Sequence, residues 1–144
     1  MRMRVLCYAL IFLAFTLMYS CSVRTNLFVQ NSTSKPVFFK IVYNTPIEIS
    51  EYKKYTFHYE HGILKPKRFL KKKTLKSLQI KQLNAFTWAV EIPENATSRI
   101  AATSNYRYFD KIKSIEFNNE KLTIEEFVTR TVRRKTNQIF KIDE

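Results

Sequence analysis

His58, Glu60 and His61 form the densest group of side chains in this chain that could bind a metal or move a proton. Their spacing argues against both. On a strand, His58 and Glu60 share a face while His61 points away, and a helical zinc-protease motif needs two histidines four residues apart on one helix face. These are the only two histidines, and the two cysteines, Cys7 and Cys21, both lie near the N-terminus. Cys-His or Ser-His catalysis could be built only on His58 or His61, and no local nucleophile motif accompanies either. Gly62 is the only glycine. Phosphate loops, dinucleotide fingerprints and nucleophile elbows each need several, where backbone turns sharply or approaches a ligand. The expectation is a protein that is not an enzyme, with no catalytic residue, no metal and no cofactor.

The second chemistry-bearing stretch is cationic. Lys65, Lys67, Arg68, Lys71, Lys72 and Lys73 place six positive charges in nine positions with no acidic residue among them. Two readings are open. One is a solvated loop that keeps the protein soluble, the usual role of a charge run. The other is a binding surface for an anionic partner: phosphate headgroups or lipopolysaccharide, cell-wall glycan carboxylates, or an acidic protein. Each Lys or Arg held near an anionic surface contributes about 1 kcal/mol. Pro66 disfavours a helix and points to an exposed connection between strands, from which Phe69 and Leu70 either return to the core or touch the partner. Arg130, Arg133, Arg134 and Lys135 make a second basic group. The formal net charge of +13 favours anionic partners and says nothing about fold.

Compartment is set by residues 1–21. Arg2 and Arg4 precede the uncharged run VLCYALIFLAFTLM from Val5 to Met18, which has the length of an export-signal core and is shorter than the ~20 residues a spanning helix needs. The run ends in Leu17-Met18-Tyr19-Ser20-Cys21, and here the sequence resembles the lipobox of bacterial lipoproteins. That resemblance implies cleavage after Ser20, lipidation of Cys21 and a membrane anchor there. Ordinary cleavage nearby, leaving Cys21 a free thiol on a secreted protein, is the alternative. Ser22, where inner-membrane lipoproteins usually carry Asp, implies by the same resemblance an outer-membrane protein facing the periplasm. An exported chain rarely meets nucleic acid, so none is expected as a partner. With Cys21 the last cysteine, no internal disulfide can form and stability rests on apolar burial.

The elements that must carry these groups are mostly strands. After a tether over residues 21–25, one domain is expected over 26–144. Asn26–Gln30 and Pro36–Tyr43 read as strands, the second apolar on both faces and so central. Tyr52–Glu60 alternates with period two and reads as half-buried. Leu75–Leu83 fits helix and strand about equally and is read as strand. Ala85–Ile92 is the firmest, with Phe86, Trp88, Val90 and Ile92 on the core face. Short strands follow at 98–103 and 111–117, Tyr106–Phe109 is a loop or edge, and Gln138–Ile142 is a last strand. Asparagines at 31, 44, 95, 105, 118 and 119 stand where turns are needed. Thr123 and Glu126 make a capping box, with Leu122 and Phe127 as its hydrophobic staple, so a helix is expected over about 124–135. The fold class is mainly β: a β-sandwich of seven or eight short strands with one C-terminal helix. Asn31 and Asn95 also head glycosylation-type triplets, which matter only in a eukaryotic secreted protein.

Together these readings describe a non-catalytic outer-membrane lipoprotein that anchors or structurally supports an envelope protein partner. In size, lipobox and expected sandwich it is similar to the small lipoproteins that tether type VI secretion complexes. An anionic glycan- or lipid-binding module and a periplasmic inhibitor or immunity protein are the alternatives. Cys21→Ser is expected to release the protein from membranes or block its processing. Membrane fractionation checks this, and unchanged fractionation with normal processing would remove the anchor.

Overall fold

Turns in this protein are made by asparagine rather than glycine. Asn95, Asn105, Asn118 and Asn119 all take positive φ, between 41° and 63°, a region that asparagine tolerates better than most residues because its side chain can bond the local backbone. In the computed structural model, residues 22–48, 50 and 56–143 are described. The export segment, Cys21 and Tyr52–Tyr55 lie outside the described residues.

The fold is mainly β. Eleven strands are present among the described residues: β1 (Arg24–Asn31), β2 (Val37–Tyr43), β3 (His58–His61), β4 (Lys76–Ser77), β5 (Gln79–Asn84), β6 (Thr87–Ile92), β7 (Ala96–Ser104), β8 (Ile112–Phe117), β9 (Glu120–Thr123), β10 (Val132–Arg134) and β11 (Asn137–Ile142). Short helices α1 (Pro66–Leu70), α2 (Tyr108–Lys111) and α3 (Ile124–Thr129) interrupt them. One sheet has the order β10-β11-β1-β7-β3-β4 and the other β5-β6-β2-β8-β9. The excess over seven or eight strands comes partly from short edge pieces such as β4 and β10, too brief to show a period. Hydrogen bonding runs antiparallel except between β1 and β11, which lie parallel from Asn26↔Asn137 to Asn31↔Ile142.

Between the sheets sits one apolar core. Leu27 and Val29 from β1, Phe39 and Ile41 from β2, Trp88, Val90 and Ile92 from β6, Ile115 from β8 and Phe140 from β11 meet there. β2 is central in its sheet, as its sequence suggests. Its second face is not buried, however: Phe38 is 62% exposed. Phe86, expected in the core, is 43% exposed, because β6 starts only at Thr87 and Phe86 belongs to the turn, where its N–H donates to Asn84 Oδ1 at 2.9 Å. Phe57 has φ of 57° and ends the alternation read through Tyr52–Glu60, so the described strand is only β3.

Three further expectations change. Arg24 and Thr25 belong to β1, with Thr25 fully buried, so the stretch read as tether shrinks on its domain side. Residues 108–111 form α2, with Tyr108 buried, rather than a loop or edge. The capping box of α3 forms, with Thr123 Oγ1 accepting from the Glu126 N–H and the Glu126 carboxylate accepting from the Thr123 N–H, but the helix stops at Thr129 instead of continuing to about 135. Thr129 and Thr131 turn their hydroxyls back to the carbonyls of Glu126 and Val128, a local competitor of helical continuation. Arg130 leaves the helix for a two-pronged bond to Glu120, at 2.7 and 2.6 Å. Val132–Arg134 then pairs with β11 as a strand.

Trp88 is 6% exposed and is the only tryptophan. Trp88→Ala is expected to cost about 3–5 kcal/mol, whereas Phe86→Ala stays within about 0.5 kcal/mol. Denaturant unfolding followed by circular dichroism measures both, and the reverse order would place the wrong face of β6 in the core.

Candidate functional site

The basic run is fastened to the outer side of the six-stranded sheet. Gly62, at φ 86°, turns the chain out of β3. Thr97 Oγ1 then donates to the Gly62 carbonyl at 2.9 Å and accepts from the Leu64 N–H at 2.8 Å, while Gln30 Nε2 donates to the Leu64 carbonyl at 2.7 Å. A single helical turn follows. Pro66 disfavours a helix running through it and points to an exposed connection, yet it stands at the start of α1, where its missing N–H would have had no helical partner. Phe69 is fully buried and meets Phe28 edge-on at 5.2 Å, in a small second core with Ile139, Leu64 and Leu75.

With Phe69 turned inward, Lys65, Lys67, Arg68, Lys71, Lys72 and Lys73 are all exposed. The structure therefore brings the six expected residues onto one cover segment. Among the described residues, one of the six has a carboxylate within 4 Å: Lys72, at 3.7 Å from Glu60. A part-exposed pair of this kind contributes about 0–1 kcal/mol. Ile63 and Leu70 are exposed beside the cations.

Beneath this cover lies a residue that the sequence reading passes over. Arg99 on β7 is cross-strand partner to Phe28 on β1 and to His58 on β3, so the three share the outer face. Arg99 is only 6% exposed. Its guanidinium lies 5.8 Å from the Phe69 ring, and its Nε is buried without a hydrogen-bond partner. No carboxylate of the described residues pairs with it. Burial, with the nearby charge of Arg24 adding to it, pulls its pKa down to about 10. The only signal in the sequence is an arginine inside the otherwise small-residue strand SRIAAT.

His58 has a lowered pKa through burial first and Arg99 second, partly offset by a backbone hydrogen bond at Thr56. Its Nδ1 is also buried and unpartnered. Among the described residues no three His, Cys, Asp or Glu side chains gather as metal ligands. His61 instead packs edge-on against Tyr59 at 5.4 Å.

The second basic group is dispersed. Arg130 is held by Glu120, Arg133 lies over Tyr106 and donates to its hydroxyl at 3.1 Å, and Arg134 and Lys135 occupy the β10–β11 hairpin. On the other sheet, Phe38 lines an open depression of about 380 Å³ with Pro36, Lys40, Glu116 and Asn118. Of the two glycosylation-type asparagines, Asn31 is fully buried and donates to the carbonyls of Lys35 and Pro93, which leaves no amide for a sugar. Asn95 is exposed. No helix of the described residues is long and apolar enough to cross a membrane. No protein-family model matches the chain, and no curated protein or solved structure is significantly similar to it.

The lowered pKa of His58 has a pH consequence. Between its folded value and the ordinary value near 6.5, the unfolded chain binds the extra proton, so stability falls as pH drops through that interval and is unaffected above it. His58→Gln, with Arg99, Glu60 and Lys72 unchanged around it, is expected to flatten that part of the profile. Melting temperature against pH for parent and variant checks this.

Proposed function

We propose that the protein is a non-catalytic, lipid-anchored outer-membrane protein that faces the periplasm and holds an acidic envelope protein through the segment Lys65–Lys73. The observation that carries this reading is the division of labour in Lys65–Lys73: Phe69 does the anchoring while six cations face solvent, with one carboxylate near them among the described residues. Six like charges repel one another, and among the described residues only Lys72 has a carboxylate partner, so their concentration is a cost that an anionic partner offsets.

Position favours a protein partner over the bilayer that bears the anchor. β1 begins at Arg24, so only Ser22 and Val23 separate it from Cys21. Phe28, on which α1 rests, is about 13 Å further along β1 at the usual strand rise. In this reading β1 runs away from the bilayer, and the distance then exceeds the Debye length of about 8–10 Å at physiological salt. The exposed Ile63 and Leu70 beside the cations support a second reading, a module for anionic lipid or glycan, because apolar groups flanked by cations suit a lipid surface.

Replacing Lys67, Arg68, Lys71 and Lys72 by Ser touches no buried side chain and is expected to leave the melting temperature nearly unchanged. In intact envelopes the parent is expected to cross-link to one stoichiometric protein, and the variant to lose most of that product. Parent-like cross-linking in the variant across a salt series would return the run to a solvated cover. Loss of binding to anionic vesicles, with no protein cross-linked by the parent, would favour the second reading.

A further inference from the structure

We propose that Arg99 is the floor of an oxoanion site at the α1 cover, which takes a phosphate group that its guanidinium and His58 bind from the sheet, while the exposed cations of Lys65–Lys73 raise the positive potential around it. The inference deepens the reading of Lys65–Lys73 as an anion-facing surface and rests on it; it does not require the lipid anchor.

The argument starts from an imbalance inside the fold. A cation taken out of water needs a counter-charge or full hydrogen bonding; among the described residues Arg99 has no carboxylate partner, and its Nε has no hydrogen bond. It is 6% exposed, its Nε has no partner, and the Phe69 ring at 5.8 Å supplies only a cation–π contact. Its neighbours deepen the imbalance rather than relieve it. Arg24 adds positive potential, and Lys72 ties up Glu60, the carboxylate on the adjoining strand. His58, directly across the strand pair from Arg99, has Nδ1 buried without a partner. Two buried nitrogens at one cross-strand pair, Arg99 Nε and His58 Nδ1, under a cover that bears six cations, are left unsatisfied among the described residues.

An oxoanion satisfies both. The planar guanidinium fork matches two oxygens of a phosphate, and neutral His58, in the tautomer that carries its hydrogen on Nδ1, donates to a third. Phosphate fits better than a lone carboxylate because it offers more acceptor oxygens and more charge to the surrounding cations. The group could come from a soluble phosphate compound or a lipid headgroup, which the experiment separates.

The test uses the full chain in detergent, with melting followed by circular dichroism. Inorganic phosphate is added at constant ionic strength against chloride, beside vesicles of phosphatidylglycerol or phosphatidylcholine. The parent is expected to melt higher with phosphate or with phosphatidylglycerol vesicles. A response to both assigns a site that accepts free phosphate; a response to phosphatidylglycerol vesicles alone assigns the headgroup. Arg99→Met keeps the length and removes the charge. It is expected to melt at or above the parent without ligand, since an unpaired buried charge is gone, and to need about tenfold or more of the ligand for the same shift. A parent that answers neither phosphate nor phosphatidylglycerol, or an Arg99→Met that answers as the parent does, overturns the site. Should Arg99→Met fail to fold, Arg99→Lys decides, because a lysine lacks the fork and a full parental response would overturn the proposal. The Lys67, Arg68, Lys71, Lys72 to Ser variant separates the two readings: a parental phosphate response there shows that the run adds nothing to the Arg99 site, whereas lost cross-linking to a protein with a parental phosphate response keeps the surface and the site as separate features.

Discussion

Four phenylalanines hold the two sheets together. Phe39 on β2 stacks on Phe117 of β8 at 4.7 Å and meets Phe140 of β11 edge-on at 6.1 Å, while Phe127 of α3 stacks on Phe140 at 4.4 Å. Two come from the five-stranded sheet, one from the six-stranded sheet and one from the helix that links the two near the end of the chain. An isolated helix of six residues would not persist in water. Here α3 stands because its first turn is capped by Thr123 and Glu126 and because Phe127 is enclosed by rings from both sheets. Removing that cluster would part the sheets and release α3 together, since the described residues contain no cysteine that could cross-link them.

The second constraint is the double burial of β1. Seven of its eight residues, Thr25 to Asn31, are buried, with Leu27 and Val29 in the main core and Phe28 in the small outer one. A strand buried on both faces needs a cover, and the segment after Gly62 supplies it through Phe69, Leu64 and the bonds to Thr97 and Gln30. That cover projects the cations outward. It also roofs Arg99, so one packing decision creates both the exposed basic surface and the buried guanidinium below it, which has no carboxylate partner among the described residues.

The two outer faces differ accordingly. On the five-stranded sheet, Glu116 lies between Lys40 at 3.4 Å and Lys121 at 3.9 Å, an interleaved cross-strand row. On the six-stranded sheet, Arg24, Arg99 and the α1 cations gather with Glu60 as the nearby acid. The exposed Phe38 and its depression belong to the first, more balanced face. Charge is thus segregated by sheet, which a net value of +13 does not reveal.

Much of this was legible residue by residue. Alternation in Trp88, Val90 and Ile92, the asparagines at 95, 105, 118 and 119, and the Thr123–Glu126 capping box are local signals. Each depends on neighbours within a few positions, and each appears in the structure where those neighbours require it. Other outcomes depend on partners far away in the chain. Phe38 and Phe39 are equally apolar, and only the position of the opposite sheet decides which is buried. Leu78 separates β4 and β5, which join different sheets, because a periodicity records alternation and not which partner a strand finds. The end of α3 at Thr129 is set by β10 pairing with β11, and Arg99 becomes a buried charge only when Phe69, thirty residues earlier in the sequence, folds over it. The sequence by itself determined that the chain makes strands, where several of its turns fall and where its cations concentrate, because propensity, turn chemistry and charge are local properties. Which faces are covered, and which cation is left without a counter-charge, only the tertiary structure decided, because burial is a relation between segments distant along the chain.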